Sequence, residues 1–184
     1  MIETVIILMR VVQVVSLTLG VFLILFILLL CFYLIRGHVP WVPTNDGQAR
    51  ALLRLAGLRK GERVLDLGCG DGRILIVAAH DFEADGIGYD INLALLFVAR
   101  LRAFKAGVSR RIQLRRGDLF RIPIPKADVV ALYLYERVNE QLLPRLREAL
   151  PRGTRVVTRV FPIPSLTPKV TQTYEHEMQY LYEL

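Results

Sequence analysis

Three glycines at alternate positions, Gly68, Gly70 and Gly72, separate a short apolar run from a segment rich in aliphatic residues. The run Val64–Leu67 is typical of a buried parallel strand, and the aliphatic residues from Ile74 onwards predict a helix. Glycines in such a turn let a ligand approach the backbone, where free N–H groups and the positive end of the helix dipole face it. The spacing therefore predicts a ligand-binding loop; a turn that only packs the helix against the strand is the alternative.

An acidic residue, Asp66, lies in the strand just before these glycines. The nicotinamide dinucleotide fingerprint G-x-G-x-x-G would need its third glycine at position 73, which is Arg73. The pattern D-x-G-x-G-x-G instead resembles motif I of class I S-adenosylmethionine (SAM) methyltransferases. Since SAM carries an ammonium and a sulfonium group, a carboxylate beside the loop would attract it, whereas it would repel the phosphates of a dinucleotide. The resemblance implies SAM as the cofactor, bound by Asp66 and the three glycines.

Two more carboxylates follow predicted strands. Asp90 closes the second strand and lies 22 positions after Gly68, about the distance at which doubly wound folds place the acid that binds ribose hydroxyls. Its alternative role is to cap the next helix, which Asn92 could also do. Asp118, followed by Leu119, comes after the third strand, where its carboxylate could accept a hydrogen bond from an adenine amino group or could only cap a turn. We expect Asp90, Asp118 and Leu119 to complete the cofactor site.

The fourth predicted strand ends in aromatic and acidic residues. Ala127–Leu134 is apolar in most positions and therefore central, and it is followed by Tyr135 and Glu136. In open α/β sheets the ligand binds at the carboxyl ends of the strands, so these residues should face the reacting groups. Tyr135 and Glu136 are thus catalytic candidates by position alone. Ordinary half-buried packing is the alternative role of Tyr133 and Tyr135.

The order of elements after residue 44 predicts an α/β domain. Helices and strands alternate and the chain then ends in strands alone, which suits a Rossmann-like seven-stranded sheet of the class I methyltransferase type with an antiparallel last pair. The apolar residues of the helix Leu93–Ala106 that we expect to face the sheet are Ala94, Leu95, Val98, Leu101 and Ala103. The remaining predicted elements are a helix between Asn45 and Gly57, strands at 84–90, 112–115 and 155–161, a helix at 141–150 and a strand pair within 170–184.

The first 36 residues predict a transmembrane signal-anchor helix. Hydrophobic residues make up 53% of the 184-residue chain, and the apolar segment Val11–Ile35 would form a helix roughly 37 Å long, enough to span a bilayer with some tilt. A cleaved signal peptide is the alternative, but the apolar run is too long for one and no A-x-A cleavage site follows it. A proline-rich linker at 37–44 would connect this anchor to a methyltransferase domain at 45–184.

The charge distribution predicts the side of the membrane on which the domain lies. The formal net charge is +7, and the first 35 residues hold one acid and one base, so all of it belongs to the rest of the chain. Arg36, Arg50 and Arg54 follow the apolar segment closely, whereas only Arg10 precedes it, so the positive-inside rule places the domain in the cytoplasm. No arginine- and serine-rich presequence precedes the anchor, which favours a bacterial or archaeal cytoplasmic membrane over a mitochondrial one.

Cysteine and histidine usage predicts neither a disulfide nor a metal site. Cys31 lies in the apolar helix and Cys69 in the glycine loop, so they are not placed to pair, and the three histidines show no metal-ligand spacing. Nucleic acid is a weaker partner class despite the basic charge, because that charge is diffuse and no separate RNA-binding module is present.

Six motifs span most of the chain: V-P-T at 42–44, L-D-L-G-C-G-D-G-R-I at 65–74, G-Y-D-I-N at 88–92, R-A-F-K-A-G-V at 102–108, G-D-L-F at 117–120 and F-P-I-P at 161–164. Together they resemble the membrane-anchored protein-lysine methyltransferases that modify the c-ring protein of ATP synthase or the adenine nucleotide translocase of mitochondria. The chain departs from that family after the second strand, at Tyr135 and Glu136, and at Leu166. Because these departures lie mostly on the substrate side, cofactor use transfers better than substrate.

The resemblance implies a SAM-dependent N-methyltransferase that modifies lysine of a small membrane protein at the cytoplasmic face. One alternative is a lipid or amphiphile methyltransferase, since the anchor and the basic surface would bring an anionic headgroup to the site. Another is a non-catalytic membrane scaffold that binds SAM. An Asp/Asn-Pro-Pro-Tyr motif is absent after the fourth strand, which argues against the nucleobase and glutamine-amide N-methyltransferases.

Overall fold

The structure, a computed structural model, describes residues 2–35 and 43–184 of the chain. It contains two compact units, Met1–Pro40 and Trp41–Leu184. The linker predicted at 37–44 lies outside the described residues except for residues 43 and 44.

The first unit contributes one described helix, α1 (Ile2–Ile35). Its 21-residue segment Met9–Leu29 has a mean hydropathy of 2.7, and none of it is buried. Twenty-one helical residues rise about 32 Å, close to the thickness of the hydrocarbon core of a bilayer. By length and composition, α1 is therefore able to cross a membrane.

The second unit is built on a single seven-stranded sheet with strand order β3-β2-β1-β4-β5-β7-β6. The first five strands in this order run parallel, and β7 pairs antiparallel with both β5 and β6. This confirms the α/β sheet predicted from the sequence, including its C-terminal hairpin. The elements are α2 (Asp46–Leu55), β1 (Arg63–Leu67), α3 (Arg73–Asp81), β2 (Asp85–Asp90), α4 (Leu93–Lys105), β3 (Ile112–Arg116), β4 (Val129–Leu132), α5 (Glu136–Ala149), β5 (Arg155–Arg159), β6 (Val170–Tyr174) and β7 (Glu177–Glu183).

The order of the strands reverses between β1 and β4. From β1 the chain moves outwards through β2 to β3, then returns to β4 and moves to β5 on the other side. Because crossovers between parallel strands are right-handed, these opposite directions put α3 and α5 on opposite faces of the sheet. The carboxyl ends of β1 and β4 therefore form a topological switch point, which is where ligands bind in open sheets of this kind.

The central strands are buried on both faces, as their continuous apolar sequence predicts. All four residues of β4 are buried, and Leu67 at the end of β1 is level with Tyr89 of β2 and Leu132 of β4. The three loops that follow these strands consequently begin at the same edge of the sheet. The main core cluster on the α2–α4 side includes Leu52, Leu53, Val64, Leu75, Leu96, Val129, Ala131 and Val157.

The orientation of α4 differs from the prediction. Ala94, Val98 and Leu101, expected to face the sheet, are exposed, while the buried residues are Leu96, Ala99 and Ala103. The helix is apolar around most of its circumference, so its periodicity does not determine which side packs. The inward side is set instead by close approach to the glycine loop, because a Cβ atom on Gly72 would lie only 2.9 Å from the Cβ of Ala99.

The boundaries of β4 and α5 also differ from the prediction. The strand is shorter, Val129–Leu132, and the helix begins at Glu136, five residues before the expected Gln141. The buried side of α5 is formed by Asn139, Leu142, Leu143 and Leu146 at helical spacing. Because the first of these is polar, the hydrophobic pattern alone places the start of the helix too late.

The predicted cap of α2 is confirmed. The Asn45 side chain accepts a hydrogen bond from the backbone N–H of Gln48 at 2.8 Å, and the Gln48 side chain accepts one from the backbone N–H of Asn45 at 3.0 Å. This reciprocal capping box fixes the first turn of the helix.

Candidate active site

The glycine loop lies at the switch point and has a backbone that only glycine adopts easily. Gly68, Gly70 and Gly72 have φ angles of 83°, 52° and 76°. The N–H groups of Gly68 and Cys69 donate to the carbonyl oxygen of Tyr89 at 2.8 and 3.0 Å, which fastens the loop to β2. A Cβ atom on Gly68 would also lie 2.9 Å from the Leu134 side chain. The loop is thus held open by glycines and packed from behind, which fits a ligand-binding role.

Asp90 joins the glycine loop to the start of α4. Its carboxylate accepts one hydrogen bond from the N–H of Gly70 and one from the N–H of Asn92, both at 2.8 Å. The capping role falls to Asn92, whose side chain accepts from the N–H groups of Ala94 and Leu95. Asp90 remains partly exposed, and each carboxylate oxygen has a lone pair left, so it has the acceptors that ribose hydroxyls require.

Asp66 is a buried carboxyl group beside the loop. It is 3% exposed, and no side-chain hydrogen bond or ion pair to it is found within residues 2–35 and 43–184. Burial, followed by the negative charges of Asp90 and Asp71, raises its pKa to about 8. Asp71 is buried as well but is ion-paired with Arg102. The arrangement concentrates negative potential where a cation would relieve it, so Asp66 fits a cationic ligand.

The predicted adenine-side residues lie on the loop after β3. The N–H of Gly117 donates to the carbonyl oxygen of Asp90 at 3.0 Å, which brings the Asp118 loop beside β2. Asp118 accepts a hydrogen bond from the N–H of Phe120 and lies 3.4 Å from Arg121, so it caps its own turn. The carbonyl of Leu119 accepts a hydrogen bond from Arg145 of α5, which anchors the loop. Contact of Asp118 and Leu119 with adenine stays a prediction.

Sequence reasoning missed Ile91 at this end of the site. It directly follows Asp90 and is 53% exposed, an unusual exposure for an isoleucine at the end of a buried strand. A flat apolar surface next to a ribose-binding carboxylate suits an adenine ring. The signal lay in the motif G-Y-D-I-N, in which an apolar residue separates the acid from the helix cap.

Three aromatic rings gather where β4 and β5 end, and we refer to Tyr133, Tyr135 and Phe161 as the aromatic wall. The Phe161 ring stacks on Tyr133 with centroids 6.3 Å apart and meets Tyr135 edge to face at 5.0 Å. Leu134, which packs behind Gly68, lies between the two tyrosines in sequence. The wall therefore adjoins the glycine loop, and burial raises the pKa of Tyr133 so that its phenol stays neutral.

The two predicted catalytic residues differ in their surroundings. Tyr135 belongs to the aromatic wall, is 41% exposed and is the residue immediately before α5. Glu136 is the first residue of α5 and is exposed, and its carboxylate forms no hydrogen bond or ion pair with a described residue. Their catalytic roles stay predictions.

A buried arginine supports the aromatic wall and was missed from the sequence, where nothing marks it. Arg159 is 3% exposed and lies with its guanidinium carbon 4.3 Å from the centre of the Tyr133 ring. Its Nε donates to Glu177 of β7, and its Nη1 donates to the hydroxyl of Thr44 at 2.9 Å. The wall is thereby connected to both the hairpin and the segment before α2.

A clamp and a strained turn fix the position of Phe161. The side chain of Asn139 is fully buried and donates to the carbonyl oxygens of Leu134 and Phe161 at 3.1 Å, so it joins the loops after β4 and β5. The N–H of Phe161 donates to the carbonyl of Arg159 at 2.7 Å across a three-residue turn in which Val160 has φ of 64°. A β-branched residue is rarely found in this conformation, which indicates backbone strain at the site.

These residues fit SAM better than the alternatives. Asp66 suits the cationic end of SAM, Asp90 suits its ribose, and Ile91 offers an apolar surface to adenine. Within the described residues no group of three or more histidine, cysteine, aspartate or glutamate residues could hold a metal ion. A doubly wound sheet that carries a cation-binding glycine loop at its switch point defines a class I SAM-dependent methyltransferase.

Comparison with known proteins places the chain within that class. The family model of the ANTKMT methyltransferase domain matches residues 66–170, and the chain belongs to this family. It is 41% identical over 133 residues to a protein-lysine N-methyltransferase of Saccharolobus islandicus, a match that covers 72% of this chain and 83% of that protein. It is 36% identical over 134 residues to the adenine nucleotide translocase lysine N-methyltransferase of Mus musculus, a match that covers 73% of this chain but only 58% of the mouse protein.

A solved structure supports the fold and the cofactor. An RNA methyltransferase from Salinibacter ruber in complex with S-adenosyl-L-homocysteine superposes with a TM-score of 0.75 and 39% sequence identity, covering 77% of this chain and 93% of that chain. The chain is thus a SAM-dependent methyltransferase, as the sequence resemblance implies.

Proposed function

We propose that the protein transfers a methyl group from SAM to the side-chain amine of lysine in a membrane-associated protein. The observation that carries this proposal is the aromatic wall next to the glycine loop, supported by relatives that are lysine N-methyltransferases. Two of these relatives are named for membrane proteins, one for the adenine nucleotide translocase and the other for the c-ring protein of ATP synthase.

The cofactor side of the site is assigned as follows. SAM supplies a methyl group activated by a positively charged sulfur. Asp66 holds the cationic end, Asp90 the ribose, and Asp118 and Leu119 the adenine. Gly68, Gly70 and Gly72 leave the backbone open to the ligand. These roles rest on the burial of Asp66 and on the hydrogen bonds through which Asp90 positions the loop.

The acceptor side must supply a neutral amine in line with the methyl group. With an ordinary pKa near 10.4, only about one lysine amine in a thousand is neutral at pH 7.4, a penalty of roughly 4 kcal/mol. The excess positive charge of the chain and the guanidinium of Arg159 behind the wall both disfavour an additional ammonium ion. Tyr135 would line the path of the lysine, and Glu136, exposed beside it, would attract the incoming ammonium and accept its proton.

We propose in addition that α1 anchors the enzyme in the cytoplasmic membrane with the methyltransferase unit on the cytoplasmic side. The length and hydropathy of Met9–Leu29 support the anchor, and the excess of arginine after the apolar segment supports the orientation. An anchored enzyme meets lysines close to the headgroup region, which suits a substrate that is itself a membrane protein.

The test incubates the full chain and methyl-labelled SAM with opened membranes from its source, then counts label in the protein, lipid and RNA fractions. We expect label in a membrane-protein band, with methyl-lysine identified by mass spectrometry. Asp90→Ala should remove both labelling and SAM binding. Asp85→Ala is the matched control, because Asp85 lies at the opposite end of β2, where it is half exposed and faces Arg111 at 3.6 Å.

The other fractions give contradicting outcomes. Label in the lipid phase would establish a lipid methyltransferase, and label in RNA would establish a nucleic-acid substrate. If SAM binds but no fraction is labelled, a membrane-protein acceptor is ruled out.

A further inference from the structure

One side of α4 exposes a continuous row of large apolar side chains. Leu93, Phe97, Leu101 and Phe104 fall within an arc of about 80° when each residue turns the helix by about 100°. Phe97 is 67% exposed and Phe104 is 75% exposed. Single exposed apolar residues are common on soluble proteins, but a row of four on one helix indicates a surface that binds a partner. We call this row the α4 stripe.

The borders of the stripe are basic. Arg100 lies about 20° beyond one edge of the arc and Lys105 about 40° beyond the other, and the helix contains no acidic residue. Both are exposed, and neither forms an ion pair with a described residue. Long basic side chains at the edges of an apolar face can extend to anionic headgroups while their methylene groups remain on apolar surface. This is the charge pattern of a helix that lies in a membrane interface.

The same charges disfavour a second copy of the chain as the partner. A twofold contact between two α4 stripes would bring Arg100 and Lys105 near the same residues of the other copy, and like charges at an interface oppose association. An anionic lipid surface meets the same residues with opposite charge.

The connection to α1 keeps the stripe close to a membrane if α1 is the anchor proposed above. Sixteen residues lie between Leu29 and Asp46, and even a fully extended chain of that length spans at most about 58 Å. A tether this short gives a weak surface contact a high effective concentration.

We propose that the α4 stripe docks the methyltransferase unit onto the anionic surface of the membrane, with its aromatic side chains in the headgroup region. This inference rests on the anchor in the proposed function and adds a second, reversible attachment. Since α4 begins three residues after Asp90, docking fixes the direction in which the cofactor site faces the bilayer.

The test places a polarity-sensitive NBD label on the full chain and measures its contact with lipid. The chain carries Cys31→Ser, and Cys69 is buried with a raised thiol pKa, so the label attaches at the introduced Phe104→Cys. Arg147→Cys, exposed on α5 in the opposite helix layer, is the matched control. Retained SAM binding verifies that each labelled protein is folded.

Labelled protein is reconstituted into phosphatidylcholine vesicles with and without phosphatidylserine. At position 104 we expect a blue-shifted emission and severalfold stronger quenching by spin-labelled lipid than at position 147. The difference should grow with phosphatidylserine and shrink at high salt, because the basic borders contribute.

Three results would overturn docking. One is equal exposure to water at the two positions in vesicles that carry the protein. Another is a blue shift that disappears when more lipid dilutes the protein, since that identifies a second copy as the partner. The third is a chain that does not sediment with vesicles, which also contradicts the α1 anchor, whereas the first two results leave the anchor and the proposed methyl transfer intact.

Discussion

Binding of SAM should release close to one proton per site at neutral pH, and that proton should come from Asp66. Burial, with the charges of Asp90 and Asp71, raises the pKa of this carboxyl to about 8, so without a ligand it is mostly neutral at pH 7. A cation placed beside it favours the carboxylate. The proton must then leave when SAM binds.

The magnitude follows from the shifted pKa. With a pKa of about 8, roughly nine tenths of the Asp66 side chains are protonated at pH 7, about half at pH 8 and about a tenth at pH 9. If the bound cation returns the pKa to the ordinary range of a carboxyl group, near 3.9, those fractions are also the numbers of protons released. Release should therefore fall steadily from pH 7 to pH 9.

The assay is titration calorimetry of SAM binding in buffers with different ionisation enthalpies. The slope of the observed enthalpy against buffer enthalpy gives the number of protons released. Asp66→Asn is the control, because it keeps the shape of the side chain and has no proton to release. A slope near zero for the unmodified protein at pH 7, or the same slope in the variant, would refute the assignment of the cation site to Asp66.

The same shift predicts how stability without SAM depends on pH. The folded-state pKa lies above the unfolded value, so the folded state binds more protons between about pH 4 and pH 8, and stability falls as pH rises through that window. The loss reaches as much as about 4 kcal/mol at pH 7. Asp66→Asn should remove this dependence and stabilise the ligand-free protein at pH 7 while weakening SAM binding. Urea unfolding in a nonionic detergent at pH 5 and pH 7.5 measures the pH dependence in both proteins; an unchanged pH dependence in the variant would contradict the reasoning.

Three substitutions test the geometry around the site. Gly72→Ala should destabilise by about 2–3 kcal/mol in urea unfolding, from a φ of 76° and the contact with Ala99, whereas Gly107→Ala, with φ of 71° and open space, should lose only about 1 kcal/mol; equal losses would exclude the contact. Asn139→Ala should cost about 2 kcal/mol and slow methyl transfer while SAM affinity changes little; a parallel loss of SAM affinity would remove the acceptor-side role. His176→Gly, at a hairpin turn where φ is 68°, should gain up to about 1 kcal/mol in unfolding free energy without altering activity; a loss would show that the turn is not strained.

The cofactor side of the site was predictable because its signals are local. Positive φ angles are available to glycine at little steric cost, so the alternation at Gly68, Gly70 and Gly72 indicated the loop. The position of Asp90 followed from the regular length of a strand–helix–strand unit. What the sequence did not reveal is that Asp66, Asp71 and Asp90 come close enough to raise one pKa, since this depends on packing between strands that are distant in sequence.

Helix faces were harder to predict where long-range packing decides them. The contact between Ala99 and Gly72 determines which side of α4 turns inwards, although larger apolar residues on the other side give the stronger hydrophobic signal. The start of α5 was placed too late because its first core position is the polar Asn139, whose side-chain donor is satisfied by carbonyl groups of two loops. Neither contact can be read from a local pattern.

The acceptor side depends on interactions of a different kind, and this explains why substrate is harder to infer than cofactor. Phe161 is positioned by a turn in which Val160 adopts φ of 64°, a conformation that costs a β-branched residue roughly 1–2 kcal/mol. The Asn139 clamp and the buried Arg159 hold that turn against the strain. Glycine at position 160 would relieve the strain but would also free the ring. Retention of valine therefore indicates that a fixed aromatic wall is worth its cost in stability, as a site that must align one amine with one methyl group requires.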